Sequence, residues 1–221
     1  MSVFDILFRY KNELMSGLMT TLKLCFFIFP ISIVFGTMLS LLRYRLPKYL
    51  GKIIRIVSIV VSSVPLLVFL FWMHYPFQML FGIVIDPFYT SVFVLSLFTS
   101  FLVSEYVFNA LDNFPIELID TAKVCGLSQK QIILRVQFPI IFRQIFPNLI
   151  LAFNFVLQST LFCSFISVEE LFMKVQQINA EVYKPVEIYT AIAIFFIAIC
   201  LCINFIAFYF KKKYNFDLNK Y

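Results

Sequence analysis

Residues Ile188–Phe210 read IYTAIAIFFIAICLCINFIAFYF, and Lys211, Lys212 and Lys213 follow at once. No charge interrupts this run, which exceeds the ~20 apolar residues a helix needs to cross a bilayer. Within hydrocarbon the backbone N–H and C=O groups have no water to bond, so a crossing segment satisfies them internally as a helix or within a closed barrel. Continuous rather than alternating apolar runs exclude the barrel. Four further stretches qualify as spans: Leu18–Leu42, Ile53–Met73, Phe88–Leu111 and Ile145–Ile166. Composition agrees: 62% of the 221 residues are hydrophobic and 14% charged, with a mean hydropathy of +0.92, whereas a soluble domain is roughly half apolar and a quarter charged. The expected fold is all-α, a polytopic transmembrane bundle of five spans formed by residues 1–221 as a single domain.

A net charge of +6 would suit nucleic acid if it clustered on a soluble face. Here the basic residues stand between apolar runs, where they orient a membrane protein instead. Arg43, Arg45, Lys48, Lys52 and Arg55 follow the first span. Lys123, Lys130, Arg135 and Arg143 lie between the third and fourth, and the tail carries Lys211, Lys212, Lys213 and Lys220. The N-terminus and the other two loops hold only Arg9, Lys11, Lys174 and Lys184, and Lys23 falls inside the first span. This asymmetry places the N-terminus outside and the C-terminus inside, as an odd number of crossings requires. Met1–Leu7 has no basic region ahead of a short apolar core and no small-residue cleavage site, so the first span is expected to be retained. Pro30 removes a backbone hydrogen bond from it and should kink or tilt it. Pro65 should break the second span and free backbone carbonyls near a cavity.

The five cysteines, Cys25, Cys125, Cys163, Cys200 and Cys202, form no CxxC pair. Four lie in apolar runs, where they read as small hydrophobes. Cys125 is expected on the reducing cytoplasmic face. His74 stands alone, so no metal site or catalytic dyad can be built around it, and Trp72 and Tyr75 read as interfacial anchors.

The largest segment outside the membrane joins the third and fourth spans, and its spacing predicts a cytoplasmic helix–turn–helix over 112–139. Pro115 suits a first turn, with Glu117 and Asp120 near the positive end of the helix dipole. Leu118, Ala122 and Cys125 share a face, and Gly126 suits a left-handed stop. Ser128 and Gln131 have capping-box spacing for a second helix from Gln129 to about Gln137, ending at Phe138-Pro139.

Those residues resemble the cytoplasmic signature of ATP-binding-cassette (ABC) importer permeases, E-A-A-x3-G-x9-I-x-L-P. The matching positions are Asp120, Thr121, Ala122, Gly126, Val136, Phe138 and Pro139, with every spacing intact. Further segments are similar to the polar-amino-acid branch of that family, the histidine and glutamine type. They include Gly17-Leu-Met-Thr-Thr-Leu22, Pro65-Leu-Leu-Val68, Ser104-Glu105, Gly126-Leu-Ser128, Thr160 and Glu170-Leu171. The chain departs from the branch at Ser62-Ser-Val-Pro65, Phe108 and Gln158, where basic residues are usual, and Leu161 replaces a serine. The losses leave the solute open but do not touch the coupling loop.

The resemblance implies an ABC importer permease of the type I fold in a bacterial cytoplasmic membrane, moving a polar amino acid by alternating access. It implies that Asp120, Thr121, Ala122, Gly126 and Pro139 couple the chain to a separate cytoplasmic ATPase. That ATPase would carry ATP and Mg, since Gly51-Lys52 lacks the upstream glycine and following hydroxyl of a phosphate-binding loop. An extracytoplasmic amino-acid-binding protein and a second permease subunit, identical or similar, complete the implied assembly. Polar residues inside spans are costly and so are candidates for the solute pathway: Pro65 at the break, Glu105, Gln158, Ser159 and Thr160. Asn154 and Asn204 could equally bond neighbouring helices. Two other classes stay open on sequence. One is a membrane scaffold or degenerate permease; the other is a membrane-embedded enzyme, for which no paired His, Cys or carboxylate motif is present.

Overall fold

The computed structural model describes residues 8–214, and among them every regular element is helical. The reading of Met1–Leu7 and the tail charge Lys220 lie outside the described residues. Four helical runs are long and apolar enough to cross a membrane: Lys11–Arg45, Pro87–Asp112, Gln129–Ile166 and Pro185–Lys213. We label the helices α1 (Lys11–Arg45), α2 (Lys52–Ser63), α3 (Leu66–His74), α4 (Pro76–Phe81), α5 (Pro87–Asp112), α6 (Ile116–Val124), α7 (Gln129–Ile132), α8 (Phe138–Ser159), α9 (Leu171–Val182) and α10 (Pro185–Tyr214). A five-residue π turn, Pro47–Gly51, joins α1 to α2, and a second, Ile133–Gln137, joins α7 to α8.

The centre of the molecule is the seam between α1 and α5. Ser32, Gly36 and Ser40 are buried at four-residue spacing on α1, facing Ser96, Ser100 and Ser104 on α5. Small residues at this spacing let two membrane helices approach until backbones touch. At Gly36 a side-chain carbon would fall 2.6 Å from the Ser100 carbonyl oxygen and 2.8 Å from Val103. The Ser32 hydroxyl donates to its own helix at Ile28 O (2.7 Å) and lies 3.3 Å from Ser96 O. Phe27 meets Phe88, Ser32 meets Ser96 and Arg43 meets Glu105. Pairings that ascend together mean that α1 and α5 run parallel.

α8 packs on α5 through Ile145, Leu149 and Ala152 against Val103, Val107 and Ala110. α10 runs antiparallel to α8, with Phe146 on Phe210, Asn154 on Asn204 and Gln158 on Cys200. Leu24, Ile28, Leu70, Val94 and Val156 fill the core at the other end. α10 is otherwise nearly bare, as befits a helix with lipid or another subunit for its solvent.

The break expected at Pro65 is present: the arms Pro47–Ser63 and Leu66–Phe81 are bent by 95°. Pro65 has no N–H and forces Val64 into extended backbone (ψ 129°), so the helical ladder stops there. One expectation needs correction: the second helix of the 112–139 segment does not end at Phe138-Pro139. α7, the π turn and α8 form one continuous run, because the wider turn, with Phe138 N–H bonded to Ile133 O, absorbs the donor that Pro139 lacks. α1 likewise continues through Pro30.

Gly36→Val should disrupt the α1–α5 seam, destabilising the folded protein by about 2 kcal/mol or more. Ser40→Ala removes a buried hydroxyl that has no partner among the described residues and should be neutral or slightly stabilising. Melting of both variants in detergent checks the contrast.

Candidate functional site

The linker between α5 and α8, an exposed handle, is built from two capped helical turns. α6 ends in a pair of bonds that close its last turn: Leu127 N–H donates to Ala122 O (3.1 Å) and Gly126 N–H to Lys123 O (2.9 Å). This closure needs a left-handed residue, supplied by Gly126 at φ 77°. The capping box follows, with Ser128 N–H donating to Gln131 Oε1 (2.8 Å) and Gln131 N–H to Ser128 Oγ (3.4 Å). Ala122 is buried against the rest of the handle, whereas Asp120, Thr121 and Gly126 face outward and Pro139 is half-buried. Cys125 leaves the face expected for it, because α6 stops at Val124 and Cys125 occupies the exposed cap. Asp120 pairs with Lys123 at 2.9 Å and Thr121 Oγ1 donates to Glu117 O. Both contacts are exposed and contribute little to stability. Ile116 and Val124 stand 68% and 89% exposed, apolar surface that a partner protein would cover.

The candidate pathway residues do not form one cluster. Pro65 sits at the apex of the α2–α3 bend. Glu105 lies towards the Asp112 end of α5, where Arg43 Nη1 donates to its Oε1 at 2.6 Å. The Arg43 guanidinium also lies 3.7 Å from the centroid of the Phe108 ring, a cation–π arrangement. A basic group from α1 thus lies against position 108. Gln158, Ser159 and Thr160 stand at the opposite end, where α8 tightens into the 3-10 turn Thr160–Ile166. Gln158 Nε2 is 3.3 Å from Cys200 Sγ on α10, Ser159 is buried, and Thr160 Oγ1 donates back to Leu157 O. Asn154 Nδ2 donates to Asn204 Oδ1 at 3.2 Å, joining α8 to α10.

Two residues have roles that the sequence did not assign. Arg43 reads as one of several charges that set orientation, and its partner sixty-two positions away leaves no local signal. Glu170, noted only as half of a Glu-Leu pair, is fully buried and caps α9 by accepting from Phe172 N–H (2.9 Å) and Met173 N–H (2.8 Å). Thr21 on α1 closes the same junction, its hydroxyl accepting from Leu171 N–H. An acid directly before an apolar helical run is the signal that could have found this cap. At the same end His74, Gln78 and Thr90 bond to one another, and Gln78 Oε1 accepts from Ile85 N–H (2.8 Å), tying α3 and α4 to the start of α5.

Burial pushes the Glu170 carboxyl up to about 7, against the restraining pull of its two N–H donors. A raised acid favours the protonated folded form. The stability it lends is complete below the unfolded value of about 4.5 and is lost as pH rises through about 7. Melting temperature should therefore fall between pH 5 and 8, and Glu170→Gln should flatten that slope. A double-mutant cycle on Arg43→Ala and Glu105→Gln should give a coupling of about 1–2 kcal/mol, between exposed and buried pairs, measured by detergent melting.

Residues 30–216 match the family described as binding-protein-dependent transport system inner membrane component. The chain is 25% identical to a probable glutamine ABC transporter permease protein of Bacillus subtilis (strain 168), over 80% of this chain and 83% of that one. It is 25% identical to an L-cystine transport system permease protein of the same organism, over 90% and 86%. An octopine transport system permease protein of Rhizobium meliloti is also 25% identical, over 92% and 86%. Among solved structures, an amino acid ABC transporter crystallised with histidines superposes with a TM-score of 0.83, at 24% identity over 94% of this chain and 96% of that one. The MetNI methionine ABC transporter in an inward-facing conformation gives 0.74, at 16% identity over 94% and 98%.

Proposed function

Because the chain belongs to the binding-protein-dependent transport system inner membrane component family, matched over residues 30–216, and is thus a permease subunit, we propose that it carries a polar amino acid across a bacterial cytoplasmic membrane. Its relatives are named for glutamine, cystine and octopine, which supports that class of solute. The driving force comes from ATP and Mg held by a separate cytoplasmic ATPase. The solute arrives from an extracytoplasmic binding protein, and a second permease subunit, identical or similar, completes the pore.

The parallel course of α1 and α5 supports five crossings. A chain that leaves the end of one spanning helix and starts another in the same direction has to return across the membrane between them. The bent α2–α3 pair makes that return: Lys52 and Arg55 share a cleft with Phe108 and Asp112, whereas His74 and Gln78 contact Thr90. Those levels on α5 are about 27 Å apart at the α-helical rise. The basic stretches after α1, around α6 and in the last turn of α10 share one end, which is the cytoplasmic one. The N-terminus is outside and the C-terminus inside.

The observation that carries the coupling is the exposed handle on that same end. Its small outward face at Thr121 and Gly126, flanked by Ile116 and Val124, suits a groove on the ATPase, and its capped turns pass the stroke on as a rigid-body movement. Asp120 and Thr121 make the polar contacts, Ala122 and Gly126 hold the turn, and Pro139 anchors the handle to the span. Gln158, Ser159 and Thr160 border the outer half of the pathway, Pro65 its bend, and Glu105 the cytoplasmic half.

Asp120→Lys and Gly126→Val should each lower co-purification of the ATPase by at least tenfold, about 1.4 kcal/mol, without affecting membrane insertion. Wild-type recovery of the ATPase with both variants would refute the docking role. Radiolabelled glutamine uptake by proteoliposomes holding permease, ATPase and binding protein should require ATP; ATP-independent product formation would favour an enzyme, and complete silence a scaffold.

A further inference from the structure

We propose that the cleft between the α1–α2 turn and the end of α5 binds the phosphate group of an anionic phospholipid. The cleft has a volume of about 510 Å³ and is lined by Arg43, Lys48, Lys52, Arg55, Phe108 and Asp112, together with Pro47 and Gly51 of the turn. Four basic side chains therefore converge on one space that contains one acid. Among the described residues Lys48, Lys52 and Arg55 form no ion pair, while Arg43 is held by Glu105 and Phe108.

Lys123 and Lys174, by contrast, are each paired with an acid, Asp120 and Glu169. The π turn creates the cleft. Gly51 N–H bonds back to Leu46 O at 2.8 Å, and buried Gly51 packs so tightly that a side-chain carbon would lie 3.0 Å from Arg43 O. That closeness folds Lys48 and Lys52 over the end of α1.

Lipid rather than free phosphate is favoured by what borders the charges. On α2 itself Ile53, Ile56 and Val60 are each more than half exposed, an apolar strip continuous with Lys52 and Arg55. A headgroup phosphate in the cleft would leave its acyl chains along that strip. Basic pockets between membrane helices bind anionic headgroups in this way. A phosphate beside Arg43 would also compete with Glu105 for the guanidinium, linking lipid occupancy to the α1–α5 ion pair. The cleft stands whichever solute is carried and whether or not the handle docks an ATPase.

The test is native mass spectrometry of the full-length protein released from detergent after exposure to equal dioleoyl-phosphatidylglycerol and dioleoyl-phosphatidylcholine. The wild type should retain phosphatidylglycerol over phosphatidylcholine on the order of tenfold. Lys48→Gln/Lys52→Gln/Arg55→Gln should lose that preference, and Lys211→Gln/Lys212→Gln should keep it. Millimolar inorganic phosphate that leaves phosphatidylglycerol bound supports the lipid. Equal retention of the two lipids by the wild type overturns the proposal irrespective of how the triple variant folds, and so does an unchanged preference in the triple variant. Binding of inorganic phosphate without lipid preference overturns the lipid source.

Discussion

The seam where Gly36 lets α1 lie against the backbone of α5 at Ser100 governs the rest of the structure. In hydrocarbon there is no hydrophobic force between helices, and close packing of small residues with interhelical hydrogen bonds has to replace it. Ser32, Gly36 and Ser40 opposite Ser96, Ser100 and Ser104 provide that packing. Because the two helices are parallel, the chain between them returns along their length, through the sharply bent α2–α3 pair. The direction of α8, and with it the end from which the handle projects, follows from the same choice.

Polar contacts then pin α1 at both ends. Arg43, Glu105 and Phe108 tie it to the Asp112 end of α5, and Thr21 ties it to the start of α9, which Glu170 caps. A half-buried ion pair is modest as a source of stability, but breaking one strands a charge. It is therefore better suited to holding one arrangement of helices than to strengthening the fold. Glu170 shares this character: buried without a cation, it is held by two backbone donors, and its ionisation opposes the folded state. A transporter that rocks between two packings needs such contacts at its ends, since small shifts there reposition whole helices.

The spans, the handle and much of its capping were legible in the sequence because they are local. Apolar run length, the Gly126 stop and the Ser128–Gln131 box each depend on residues within a turn of one another. Legibility ended where partners are distant. Arg43 and Glu105 lie sixty-two residues apart, so a charge that reads as a topological marker became half of a contact inside the bundle. The candidate pathway residues were chosen as polar groups in spans, a criterion that cannot tell one end of a bundle from the other, and Glu105 and Thr160 proved to stand at opposite ends. The end expected at Phe138-Pro139 failed for a local reason: a π turn accommodates proline without breaking the helix.

By itself the sequence determined that this chain lives in a membrane as helices, which of its ends are basic, and that an exposed helix–turn–helix joins two spans. Those properties rest on hydrophobicity and backbone hydrogen bonding, which each segment carries wherever it is placed. Tertiary structure alone decided that α1 and α5 run parallel, that the arms on either side of the Pro65 break meet at 95°, and that four basic residues share one cleft with Phe108 and Asp112. Such relations depend on which surfaces fit at close range, and packing geometry between distant segments has no one-dimensional signature.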